Sequence, residues 1–199
     1  MFVRATHGRF ISLRRGDLAE SIFHKIEGKV ETIFGDGVTR IDQSEKAVRV
    51  TFESGAARDF DLVVGADGLH SRVRELVFGA QGQFEHYLGY NVAAFEVEGY
   101  QPRDELVMYC TRKWGQQVAR FAMRGNRTLF LFTFASPAVG VMNVAAQKAL
   151  LRKRFRNSGW ECDAILKVLD SSNDLYFDRV SQIRMDPRSG LWTRGRVSA

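Results

Sequence analysis

The sequence has no apolar run long enough to cross a bilayer. Its longest apolar stretches, such as Leu129 to Ala135, fall far short of the roughly 18 residues a spanning helix needs. No apolar signal-peptide core follows Met1-Phe2-Val3-Arg4, so the expected location is cytoplasmic, with no integral membrane segment. Cysteine is scarce. Cys110 and Cys162 are the two in the chain. They lack metal or redox spacing and read as reduced thiols. The histidines, His7, His24, His70 and His86, also lack metal-ligand spacing, so no metal site is expected. The net charge is +6, but the basic residues are scattered, and the densest cluster (Arg152, Lys153, Arg154 and Arg156) falls on a predicted helix. No recognised nucleic-acid motif accompanies the charge, so nucleic acid is not an expected partner.

What is present is ordinary for a globular protein: 199 residues, 45% hydrophobic and 26% charged. That length suffices for one domain with a real core or two small ones. The most informative stretch is DLVVGADGLHSRVRELVF, from Asp61 to Phe78. Leu62, Val63 and Val64 form the short continuous run expected of a strand buried on both faces of a parallel sheet. Gly65-Ala66-Asp67-Gly68 reads as a tight turn. Leu69 to Val77 then has helical spacing, with Leu69, Val73, Leu76 and Val77 on one face and Arg72, Arg74 and Glu75 away from it. This unit puts Asp67 and Gly68 just past the carboxyl end of a strand, where open α/β sheets bind ligands. From spacing alone, Asp67 serves equally well as a helix cap.

GADGLHSRVRELVFG, from Gly65 to Gly79, closely resembles the DG motif (G-A-D-G-x-x-S-x-V-R) of the FAD-dependent aromatic-ring monooxygenases, the class A flavoprotein hydroxylases. The resemblance implies that Asp67, Gly68, Ser71 and Arg74 lie near the flavin and the route of NAD(P)H. It also gives meaning to Arg15, followed by Gly16-Asp17-Leu18. Such enzymes carry an R-x-x-L element at a helix start, and its Arg approaches the flavin. A guanidinium there offers several fixed donors to phosphate or flavin oxygens. The implied site is thus cofactor-binding, at Arg15, Asp67, Gly68, Ser71 and Arg74, with no catalytic nucleophile or general base assigned.

Along the chain, Phe10 to Leu13 reads as extended. Asp17 is a plausible N-cap of a helix carrying Leu18, Ile22 and Ile26, which Gly28 can end. Val30 to Phe34 is β-prone. Val38 to Asp42 and Lys46 to Glu53 read as a hairpin, with Val48, Val50 and Phe52 on its buried face. Beyond Gly79, Tyr87 to Val97, Glu105 to Thr111, Gln116 to Met123 and Arg127 to Ala135 alternate in character and are separated by turn signals, predicting an antiparallel sheet. Phe121, Phe130, Phe132 and Phe134 are either core of that sheet or the wall of an apolar pocket. Asn143 starts a helix to about Arg156, with Val144, Leu151 and Phe155 on one face. A second helix includes Ala164 to Leu169, and Asp174 to Met185 is a strand. The expected class is α/β (α+β), with part of a Rossmann-like FAD domain over residues 1–79, a substrate-binding sheet domain over 80–185, and a return to the FAD domain over 186–199.

Two hallmarks of the resembled family are missing. No GxGxxG, the turn that holds a pyrophosphate, occurs near the N-terminus. No Gly-Asp motif follows Leu191-Trp192-Thr193-Arg194-Gly195-Arg196-Val197. The expectation is an internal fragment of such an enzyme, prone to aggregate on its own. The resemblance implies FAD reduced by NAD(P)H, O2 as co-substrate, and hydroxylation of an aromatic or similar organic molecule. The alternatives are another flavin enzyme of this fold, such as a halogenase or prenyl-lipid reductase, or a non-catalytic remnant or binding protein.

Overall fold

The computed structural model describes residues 15–102, 106–111, 113–172, 174–185 and 196–198. Phe10 to Leu13 and Leu191 to Gly195 lie outside the described residues. Helix α1 (Arg15–Ile26) comes first, ending before Gly28, whose φ is +72°. A three-stranded antiparallel meander follows: β1 (Val38–Gln43), β2 (Val48–Phe52) and β3 (Ala57–Phe60), in the order β1-β2-β3. Alternation fixes its faces, and Val48 and Val50 are buried while Arg49 is exposed. Strand β4 (Leu62–Val64) leads into the DG turn and helix α2 (Arg72–Phe78). Strand β10 (Arg196–Ser198) pairs with β4 in parallel, Val197 opposite Val63.

The rest is one five-stranded antiparallel sheet with helices on one face. Its strands are β5 (Glu85–Glu98), β6 (Leu106–Cys110), β7 (Gln116–Ala122), β8 (Arg127–Ala135) and β9 (Leu175–Ile183), in the order β6-β7-β8-β5-β9. Between β8 and β9 lie α3 (Val144–Phe155) and α4 (Cys162–Val168). The Asn143 side chain caps α3 by accepting from the Ala146 N–H at 2.9 Å, as its residue type predicts. The two helices cover the face that carries Ala93, Phe95, Val118, Phe130, Phe132 and Phe134, and they add Leu151, Phe155 and Ile165, with Leu169 just past α4. Phe155 meets Phe132 edge-on at 4.8 Å between centroids, and Tyr100 meets Phe130 the same way at 4.8 Å. Such pairs add to the area they bury. Of the four candidate pocket phenylalanines, Phe130, Phe132 and Phe134 are therefore core. Phe121 alternates to the opposite face.

Several details differ from the sequence expectation: Asp17 lies inside the first turn of α1 rather than capping it, and Leu69 precedes α2, which Ser71 caps. Residues 30–34 form no strand, because no strand pairs with them among the described residues. Leu62 and Val64 are 47% and 60% exposed, not buried, because no layer packs over the β4–β10 pair among the described residues. Val144 is likewise exposed, at the first turn of α3, ahead of the turns that meet the sheet. Arg74, expected on the wet side of α2, is 4% exposed, because its guanidinium folds back onto the turn that precedes the helix.

Candidate functional site

The DG turn is held by its own polar side chains. The Asp67 carboxylate (Oδ2) accepts from the N–H groups of Arg72 at 2.7 Å and Val73 at 3.1 Å. The Ser71 hydroxyl accepts from the Arg74 N–H at 3.0 Å. These bonds satisfy donors that the start of α2 leaves open. The Arg74 guanidinium donates to the carbonyls of Gly68 at 3.3 Å and Leu69 at 2.6 Å. Its Nε is buried without a hydrogen-bond partner among the described residues. Burial alone would raise the Asp67 carboxyl. Ser71 and the amides of Val73 and Arg72 outweigh it and hold it below the usual range. Two glycines make this geometry possible. Gly68 sits at φ +81° with open space where a Cβ would be. At Gly65 a Cβ would come within 2.9 Å of Val73 Cβ, so the turn and α2 can close only on a bare α-carbon.

The turn is tied to the large sheet through His70. Its Nε2 lies 3.2 Å from Asp178 Oδ2 on β9, and its Nδ1 meets the Gln81 amide at 3.0 Å. Gln81 also donates to Glu85 at 2.9 Å, and Glu85 accepts from Ser181 at 2.7 Å and Arg179 at 3.1 Å. Asp178 further accepts from the Tyr176 hydroxyl at 3.2 Å and from the Arg179 N–H at 2.7 Å. Burial would raise Asp178, but the Arg179 amide and the bonds from His70 and Tyr176 together hold it below its usual value. Burial raises Tyr176, and the charge and hydrogen bond of Asp178 add to this. Nearby Arg15 opposes the rise.

Four of the five candidate residues, Asp67, Gly68, Ser71 and Arg74, therefore build one turn. The fifth, Arg15, is exposed at the start of α1, on a separate element. The sequence reading missed Tyr176, Asp178 and His70, which tie the turn to β9. His70 lies inside the motif itself. Asp178 and Tyr176 occupy alternate positions of β9, which places them on the face away from Phe177 and the helices. That face presents Val92, Ala94, Phe121, Leu131 and Met108, with Met108 54% exposed. A cleft of about 560 Å³ near its end is lined by Ala94, Glu96, Leu129, Ser172 and Tyr176. A second, of about 330 Å³, lies at the β9 edge between His70, Asp178, Arg179, Gln147 and the segment from Val139 to Met142. Tyr176 and Asp178 thus stand between two clefts. No cluster of metal-ligating side chains occurs among the described residues, and no helix among them is long and apolar enough to cross a membrane.

No protein-family model matches the chain. Individual relatives do. An uncharacterized protein of Mycobacterium tuberculosis is 38% identical over 193 residues, covering 94% of this chain and 50% of that protein. A flavin-dependent monooxygenase from an unknown prokaryotic organism is 32% identical over 190 residues, covering 94% of this chain and 48% of the relative. Among solved structures, tetracycline destructase Tet(55) superposes with a TM-score of 0.79 at 29% identity, over 92% of this chain and 48% of that one. Klebsiella pneumoniae HpxO, complexed with FAD and uric acid, shares the fold with a TM-score of 0.71 at 24% identity, over 98% of this chain and 49% of that one. The chain spans about half the length of the curated relatives it matches. Along that half, in sequence and in fold, the chain resembles the flavin-dependent monooxygenases.

Proposed function

We propose that this chain supplies the DG turn and the substrate sheet of an FAD- and NAD(P)H-dependent monooxygenase that hydroxylates an aromatic or similar organic small molecule. The observation that carries this reading is the His70–Asp178 contact, which fixes the DG turn beside the open apolar face of the five-stranded sheet. The division of labour falls near Gly79, with cofactor contacts before it and substrate contacts after it, up to the return at about residue 186.

The residues fit a flavin. Gly68 is exposed and open above its α-carbon, so the backbone can approach a ligand closely. Arg15 presents an exposed guanidinium suited to phosphate or flavin oxygens. Arg74 keeps one buried N–H without a partner among the described residues. Asp67, Ser71 and Arg74 hold the shape of the turn and Arg15 supplies charge. Bound FAD supplies acceptance of a hydride from NAD(P)H and transfer of one oxygen atom of O2 to the substrate. In balance, substrate, O2, NAD(P)H and a proton give hydroxylated substrate, water and NAD(P)+. The chain's own part is to orient the substrate against Val92, Ala94, Phe121 and Leu131 and to exclude water from that face.

The test is to express the longest in-frame protein containing this chain, measure flavin released on denaturation, and follow substrate-dependent NAD(P)H oxidation under 18O2. Bound flavin and 18O in the product are the expected results. Flavin with NAD(P)H oxidation but no 18O in any product would assign a different flavin reaction, such as halogenation or reduction. Neither flavin nor NAD(P)H oxidation would leave a non-catalytic binding protein.

A further inference from the structure

The β6–β7 turn carries an indole held out into solvent. Trp114 is 88% exposed, yet its turn is well tied. The Thr111 hydroxyl accepts from the Lys113 N–H at 3.2 Å, the Thr111 N–H reaches the Gln116 carbonyl at 3.1 Å, and Gly115 accepts from Ala135 at 2.7 Å. These hydrogen bonds hold Thr111, Lys113 and Gly115 on either side of the exposed indole.

Beside this indole lies the basic end of α3. Lys113 Nζ reaches the Arg154 carbonyl at 3.4 Å. Lys113, Lys153 and Arg154 line one groove, and Lys153, Arg156 and Lys167 line the next, so the cations form one continuous patch. The carboxylates within it are engaged: Asp170 pairs with Arg152, and Asp163 accepts from the Asn157 N–H. None of Lys113, Lys153, Arg154, Arg156 or Lys167 pairs with a carboxylate among the described residues. Complementing the helix dipole accounts for one or two cations in a last turn. It does not account for an exposed indole beside them.

We propose that Trp114 and this basic patch dock the protein on the surface of a bilayer containing anionic lipid. Trp sits favourably at headgroup level, where its ring is apolar and its N–H is wet. Each Lys or Arg held at an anionic leaflet strengthens partitioning by about fivefold. The indole stands on a turn rather than in a groove, which suits a fluid interface better than a folded peptide. The patch shares no residue with the DG turn.

The test is sedimentation of the purified full chain with vesicles of phosphatidylcholine alone or mixed with phosphatidylserine. Binding is expected to the mixed vesicles, with release by salt. W114A, whose folding is checked by circular dichroism, is expected to bind roughly tenfold more weakly through lost apolar contact. K153Q/R156Q is expected to lose roughly 25-fold. Brominated acyl chains should quench wild-type tryptophan fluorescence more than that of W114F. Absence of binding to the mixed vesicles overturns the proposal, as does retention on polyglutamate or DNA without vesicle binding. Vesicle binding unchanged in W114A but lost in L18E/I22E would place the contact on α1 and also overturn it.

Discussion

His70 and Asp178 are 108 positions apart and meet at 3.2 Å, joining the DG turn to an edge strand of the sheet. The His70 side chain is 55% exposed, so the contact contributes little to overall stability. D178N is expected to lower global stability by at most about 1 kcal/mol. Its local effect should be larger. Amide hydrogen exchange at residues 67–73 is expected to speed up, with exchange in β7 and β8 unchanged. Uniform acceleration across the sheet would show that Asp178 acts on the fold as a whole.

Acid should loosen the same junction first. Asp67, Asp178 and Glu85 all titrate below their ordinary values. A carboxyl depressed in the folded state binds its proton more weakly there than in the unfolded chain. Its stabilising effect is therefore complete above an unfolded value of about 4 and is lost as the pH falls through the folded value. Thermal melts below about pH 4 should show a steep fall in stability, shallower in D178N. An identical acid limb in D178N would mean that Asp178 takes no part in it.

The closeness of Gly65 to Val73 predicts a rescue. G65A puts a methyl within 2.9 Å of the Val73 side chain and is expected to cost about 1–3 kcal/mol. G65A/V73A should cost less than the sum of the two single changes. Additive costs, measured by denaturant unfolding, would rule out this clash as the cause.

On the helix face, Glu161 accepts from Arg120 at 2.6 and 2.8 Å and from the Tyr100 hydroxyl at 3.0 Å. Arg120 is 1% exposed and also lies over the Trp160 ring at 5.6 Å. Burial, reinforced by Glu161, pushes the Tyr100 phenol up, so it remains a donor to the carboxylate. E161A removes the carboxylate that pairs with a buried guanidinium and is expected to cost about 3 kcal/mol or more. R120M/E161L, which removes both charges, should cost much less. A larger loss in the double variant would refute this pairing logic.

The five-stranded sheet was readable from the chain because alternation and turn residues are local signals. Tyr87 to Val97, Gln116 to Met123 and Arg127 to Ala135 match their strands within a few residues. Asn143 announced its helix for the same reason. The DG turn was legible as a motif, with its candidate residues adjacent in sequence. His70 as a bridge was not, because its partner lies far along the chain and only folding brings the two together. The burial of Arg74 was hidden too, since helical spacing reports where a side chain starts and not where a long one ends. Val30 to Phe34 shows the reverse: propensity without a partner strand among the described residues gave no strand.

The main buried cluster is drawn from the five-stranded sheet, its two helices and the segments that directly follow β5 and α4. Helix α1 contributes no buried residue, and Leu18 and Ile22 on it are 49% and 57% exposed. Cooperativity should follow the same division. Heating is expected to release the segment before Gly79 in a first, low-enthalpy step, while the sheet persists to a sharper second one. Because the DG turn belongs to the weaker part, a bound flavin would raise the first transition through mass action and leave the second nearly unmoved. In this protein, occupancy of the site and folding of the segment before Gly79 would be one equilibrium.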